Sequence, residues 1–159
     1  MKYFVSLLLI FICGRAVCQN IVNQYDDFGG AITNGNEQKA LFLAQQILPE
    51  ASSLTNRQQA IFYYKLAGLY EGLKFNEQAI EFYERSLKLE PDFYVPHLAL
   101  GYLFLGQANP IARQLNDVKN NPQLREKYLK EYQEKLRKAI SHLEKALACD
   151  PNDQVLESI

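Results

Sequence analysis

Between Ala60 and Pro91 the apolar residues recur in steps of three and four on two successive arms. The first arm carries Tyr63, Leu66, Ala67 and Tyr70; the second carries Ala79, Tyr83, Ser86 and Leu87. That spacing is the period of an amphipathic helix, so the stretch predicts two helices joined by a short turn. Small residues stand where the two backbones must come close, at Ala67, Ala79 and Ser86. Gly72 is placed to break the first arm, Asn76 to cap the second and Pro91 to end it. A lone helical hairpin cannot bury its apolar face, so this one is expected to be a single unit of a stack.

The pattern restarts downstream. His97, Leu100, Gly101 and Phe104 repeat Tyr63, Leu66, Ala67 and Tyr70 at a constant offset of 34. The matching second arm is displaced: Ala139, Ile140, Leu143, Ala146 and Pro151 repeat Ala79, Ile80, Tyr83, Ser86 and Pro91 at an offset of 60. An offset of 60 against 34 implies an insertion of 26, which falls within 105–138. Asn109-Pro110 and Asn121-Pro122 read as helix starts. A short helix through Ile111, Leu115 and Val118 is expected between them. Beyond Pro122 no breaker occurs before Asp150-Pro151, so one helix should run from about Gln123 to Ala148. At 1.5 Å per residue it is about 39 Å long, roughly twice its partner arm. Its first half must overhang the repeat, fold against the short helix or meet another protein.

Taken together, these residues resemble the tetratricopeptide repeat, whose pattern is W-x2-L-G-x2-Y, then A-x3-F, then P. Here it reads Tyr63-x2-Leu66-Ala67-x2-Tyr70, Ala79-x3-Tyr83 and Pro91. The resemblance implies an all-α fold of antiparallel helical hairpins stacked as a short solenoid, with one elongated C-terminal helix. Its repeats would span 56–91 and 92–151, the second carrying the insertion. It also implies a concave groove lined by the first helix of each repeat. In this numbering the groove would take Ile61, Tyr64, Gly68 and Glu71, then Val95, Leu98, Tyr102 and Leu105. Tyr64 and Tyr102 offer ring faces and hydroxyls suited to a peptide or helix. The competing reading packs these side chains on the N-terminal helix or the insertion. Members of the family that clamp a chain terminus use Lys and Asn in the groove; Tyr64, Gly68, Leu98 and Tyr102 depart from that.

Residues 1–18 combine Lys2, an apolar run from Phe4 to Cys13 and the small residues before Gln19. The run is shorter than the ~20 apolar residues of a bilayer span and fits a cleaved signal peptide. Lipidation at Cys18, and with it a membrane tether, is the lesser alternative, because Arg15 sits where a lipid-attachment motif expects an aliphatic residue. Residues 19–48 read as a degenerate first hairpin. Ile21, Val22, Tyr25 and Phe28 form one face, Gly29-Gly30 an interruption, and Asn34-Gly35 a turn. Ala40, Leu43, Ala44, Ile47 and Leu48 follow on a second helix. Asn36-Glu37-Gln38 recurs as Asn76-Glu77-Gln78 in the hairpin that follows. Pro49–Thr55 is expected to be a linker, with Thr55 or Asn56 capping the next helix. Residues 152–159 form a tail, in which Val155 and Leu156 hint at a further short helix.

Without residues 1–18, 15 basic side chains face 18 acidic ones, which disfavours nucleic acid as a partner. Lys127, Lys130, Lys135, Arg137 and Lys138 interleave with Glu126, Glu131 and Glu134, as on a solvated helix face. His97 and His142 are the only histidines, and no metal-binding spacing, phosphate loop or nucleophile elbow accompanies them. Cys149 stands beside Asp150, which disfavours a reactive thiolate. The expected function is an exported, periplasmic or secreted, protein-binding scaffold of the bacterial envelope. No catalytic residue, cofactor or metal is expected. Two alternatives stay open: a structural or oligomeric envelope subunit whose long helix, 123–148, pairs with itself or with another envelope component, and an enzyme whose catalytic groups come together only in the fold.

Overall fold

The computed structural model describes residues 20–149, and every element in that span is helical. The expected readings of residues 1–18 and 152–159 lie outside the described residues. Helix α1 covers 20–33, α2 Glu37–Ile47, α3 Asn56–Gly72, α4 Asn76–Leu89, α5 Tyr94–Asp117 and α6 Pro122–Cys149. Neighbours pair as antiparallel hairpins, α3 with α4 and α5 with α6, and α4 then packs on α5. None of the described helices is long and apolar enough to cross a membrane.

The α3–α4 hairpin follows its sequence closely. Thr55 caps α3: its hydroxyl accepts from the Gln58 amide at 3.3 Å, and Gln58 Oε1 accepts from the Thr55 amide at 3.1 Å. Leu66, Ala67, Ala79, Tyr83 and Ser86 are buried. The buried Ser86 hydroxyl donates to the Ala60 carbonyl at 2.8 Å, so the close approach of the helices leaves this hydroxyl satisfied.

The turn between them differs from the expectation. Gly72 is the last residue of α3, and Lys74 takes the left-handed conformation at φ 66°. The Phe75 amide bonds back to the Tyr70 carbonyl at 2.9 Å and the Lys74 amide to that of Glu71 at 3.0 Å, a Schellman closure. Phe75, not Asn76, takes the N-cap position, and it supplies no side-chain bond. The α1–α2 turn repeats this closure with Gly35 at φ 66° in place of Lys74. There Asn36 does cap, its side chain accepting from the Lys39 amide at 3.0 Å. The repeated Asn-Glu-Gln phrase is therefore one residue out of structural register. Lys74→Gly should raise the unfolding free energy by about 0.5–1 kcal/mol in urea titration, because glycine adopts this φ without a Cβ penalty.

Three further expectations are corrected. Gly29-Gly30 does not interrupt α1, which continues to residue 33 and buries Ile21, Phe28 and Ala31. Pro49–Thr55 is not an extended linker: Leu48–Ser53 forms a 3-10 helix, and Ala51 and Leu54 are buried. Pro110 does not start a helix; it lies inside α5, which absorbs the separate short helix expected there. Its ring costs about 3 kcal/mol in a helix interior. Burial of Ala108 and Ile111 offsets that cost, and a bond from Lys135 Nζ to Gln107 Oε1 at 2.8 Å ties this stretch to α6. The insertion thus lengthens both arms, and α6 is only slightly longer than its partner.

Candidate functional site

The two repeats share an aromatic signature that fixes their correspondence. In the first, Tyr63 and Tyr70 of α3 flank Phe82 of α4 at ring distances of 6.1 and 5.5 Å. In the second, His97 and Phe104 of α5 flank His142 of α6 at 5.2 and 5.8 Å. The sequence offsets are those already read, 34 on the first arm and 60 on the second. Cations cover both clusters: Arg85 lies 5.1 Å over Phe82, and Lys138 lies 5.5 Å over Phe104.

The histidines add a polar lock inside the second hairpin. His97 is 7% exposed. Its Nε2 lies 2.9 Å from the Pro91 carbonyl, to which it donates. In the neutral ring that leaves Nδ1 as the acceptor for His142 Nδ1–H, 3.0 Å away. Burial, then His97 and Lys138, lower the His142 pKa to about 4. The unfolded chain, with an ordinary histidine near 6.5, therefore binds more protons than the folded one between those values. Stability from this site is complete above pH ~6.5 and is lost as pH falls through about 4. Partial exposure of the ring reduces the expected loss to about 1–2 kcal/mol. Urea titrations at pH 7 and pH 4.5 should show this loss, and His142→Phe should remove most of it.

A cleft of about 430 Å³ opens where the α1–α2 turn meets α3 and the start of α5. Tyr64 and Gly68 of α3 and Val95 of α5 line it, facing Ile32 and Glu37. Lys65, Leu69 and Tyr83 complete its walls. The Tyr64 ring is held 5.2 Å from Phe93 and 6.3 Å from Tyr83. The Tyr83 hydroxyl donates to Glu71 Oε2 at 2.8 Å. Burial first, then the Glu71 bond and charge, push the Tyr83 pKa up, so the phenol stays protonated as a donor. Apolar walls with a few fixed polar groups suit a side chain or short segment of another chain.

The expected groove residues divide. Tyr64, Gly68 and Val95 meet in this cleft, and Glu71 orients its Tyr83 wall. Ile61 lines a neighbouring recess of about 250 Å³ with Arg57, Glu90, Asp92 and Phe93. Leu98 and Leu105 do not line the cleft; they pack on Leu143 and Ala146 within the second hairpin. Tyr102 is 41% exposed and lines neither recess. Ile32, Glu37 and Lys65 carried no signal in the sequence, because only the stacking of the first hairpin brings them here. Tyr83 did carry one, but as a motif position it reads as core. Among the described residues, no three His, Cys, Asp or Glu side chains converge as metal donors.

Comparison with known families agrees with this geometry. Residues 59–93, which take in α3, α4 and the turn after them, match the model of the tetratricopeptide repeat. No curated protein sequence matches the chain. The second hairpin repeats the ring cluster of the matched one at equivalent positions. Residues 59–93 thus form a tetratricopeptide repeat, and the chain carries at least this one unit of that family.

Proposed function

We propose that the chain is an exported adaptor that captures a peptide or helix of another protein in the cleft bounded by Tyr64, Gly68 and Val95. Repeats of this family serve as protein-interaction scaffolds, and that much holds for this chain. The observation that carries the finer reading is the cleft itself, with two aromatic walls, a lysine and a glutamate at its edge and room for one or two side chains. Gly68 keeps it open: a Cβ there would meet only the Tyr83 hydroxyl, at 3.6 Å. Gly68→Phe therefore fills the cleft without entering the core. Capture of envelope proteins by the immobilised chain should fall at least about tenfold for this variant, with an unchanged melting temperature. Equal capture by Gly68→Phe and wild type would remove the cleft as the binding surface.

Export rests on residues 1–18, with their basic start, short apolar run and small residues before Gln19. Intact mass after expression in a secreting host should match a chain beginning at Gln19. A lipid adduct on Cys18 would instead indicate a membrane tether.

A further inference from the structure

We infer that α6 pairs with α6 of a second copy of this chain, antiparallel, along the face that flanks its contact with α5. The face is a seam. Leu129, Gln133, Leu136, Ile140, Leu143 and Leu147 follow one another in steps of four and three, the spacing of a coiled-coil contact line about 27 Å long. Leu143 is shared with the α5 interface. Outside that interface Ile140 is 51% exposed and Leu129 36% exposed, and a shallow depression runs along Gln133, Leu136, Arg137, Ile140 and Glu144.

The first repeat shows what such a face is for. Ile80 and Leu87 of α4 are the counterparts of Ile140 and Leu147 at the same offset of 60. Both are partly buried and packed against the core, in the hairpin over which α5 lies. Among the described residues, α6 has its substantial packing only with α5, so its equivalent face has no helix over it.

Charge and symmetry point to a second copy as the occupant. The seam is nearly a palindrome about position 138. Antiparallel pairing sets Ile140 against Leu136 of the other copy and Leu147 against Leu129, each twice. The flanking residues are Lys130, Arg137 and Glu144, seven apart. In the same register Lys130 faces Glu144 of the other copy on both sides of the dyad, and the two Arg137 side chains meet at its centre. Within one chain Lys130 and Glu144 are about 21 Å apart along the helix and cannot pair. The opposite-charge pairs favour this register, and the central arginines oppose it mildly, because water screens charges at the edge of a seam.

Sedimentation equilibrium of the chain in low salt tests the pairing. A dimer is expected. Lys130→Glu or Glu144→Lys alone should weaken it about tenfold, since each reversal turns two facing pairs from attractive to repulsive. The double reversal should restore it, and Arg137→Gln should strengthen it. Ile140→Glu should abolish it with circular dichroism unchanged, because that side chain is already half exposed. A chain that stays monomeric at its solubility limit overturns the proposal, and residues 152–159 or a different protein would then be the cover. A dimer weakened by both single reversals and not recovered in the double variant overturns the antiparallel register. A dimer indifferent to all of the substitutions overturns the use of this face.

Discussion

Phe62→Ala should lower the unfolding free energy by about 3–5 kcal/mol, among the largest losses expected from a single truncation within the described residues. The Phe62 side chain is fully buried, and its ring meets that of Phe28 edge-on at 5.1 Å, with Tyr63 at 5.5 Å. It joins α3 to α1, so the substitution opens a cavity between two hairpins, where collapse would require moving a whole helix. Domains of this size have about 5–15 kcal/mol in all, so the variant retains only a fraction of its margin. Two measurements check it. The urea midpoint should fall with little change in slope. Hydrogen exchange should accelerate most in α1 and α2, which lose their anchor to α3, and least in α5–α6, which has its own contacts. A loss under about 1 kcal/mol would mean that α1 does not depend on this ring contact.

Gly101→Ala should cost about 1–3 kcal/mol through the opposite fault, too much matter in a full space. A Cβ at Gly101 would lie 2.6 Å from both Cγ and Cδ2 of Leu143, and 3.5 Å from the Ala139 carbonyl oxygen. Cγ is the branch point of leucine and not a free end, so relief requires a different Leu143 rotamer or a wider α5–α6 spacing. The matching position one repeat earlier is Ala67, fully buried and accepted there. There Tyr83 stands at the position of Leu143, so the two hairpins leave different room for a methyl although their motifs agree. A double-mutant cycle with Leu143→Ala isolates the clash: the pair should lose less than the sum of the singles by about 1 kcal/mol. Strict additivity would place the cost of the added methyl elsewhere, in the backbone or in the unfolded state.

Both effects bear on function through the same geometry. The cleft between the α1–α2 turn and α3 depends on the Phe28–Phe62 contact for its shape. The flanking face of α6 depends on the closeness of α5, because only a helix held tightly at that contact presents a defined seam beside it. Phe62→Ala should therefore weaken capture in the cleft and spare α6 pairing, and Gly101→Ala should do the reverse.

Read by itself, the chain determined what is local. The three-and-four spacing of Tyr63, Leu66, Ala67 and Tyr70, its echo at an offset of 34, the Thr55 cap and the stop at Pro91 follow from helix period and from backbone groups seeking partners nearby. They were sufficient for the helix pairs, the repeat and the long final helix. Tertiary structure decided what depends on distant partners. Pro110 reads as a helix start, yet α5 runs through it because Ala108 and Ile111 gain burial and Lys135 of α6 bonds to Gln107 beside them. Lys74 holds a left-handed turn that a glycine would be expected to make, because the helices on both sides are already paired. Leu98 and Leu105 share a sequence phase with Tyr64 and Val95 but turn into the second hairpin, while Ile32 and Glu37 reach the cleft from the α1–α2 turn. Periodicity specifies which side of a helix is apolar; which neighbour meets that side is set by how the hairpins stack, and no local signal carries that.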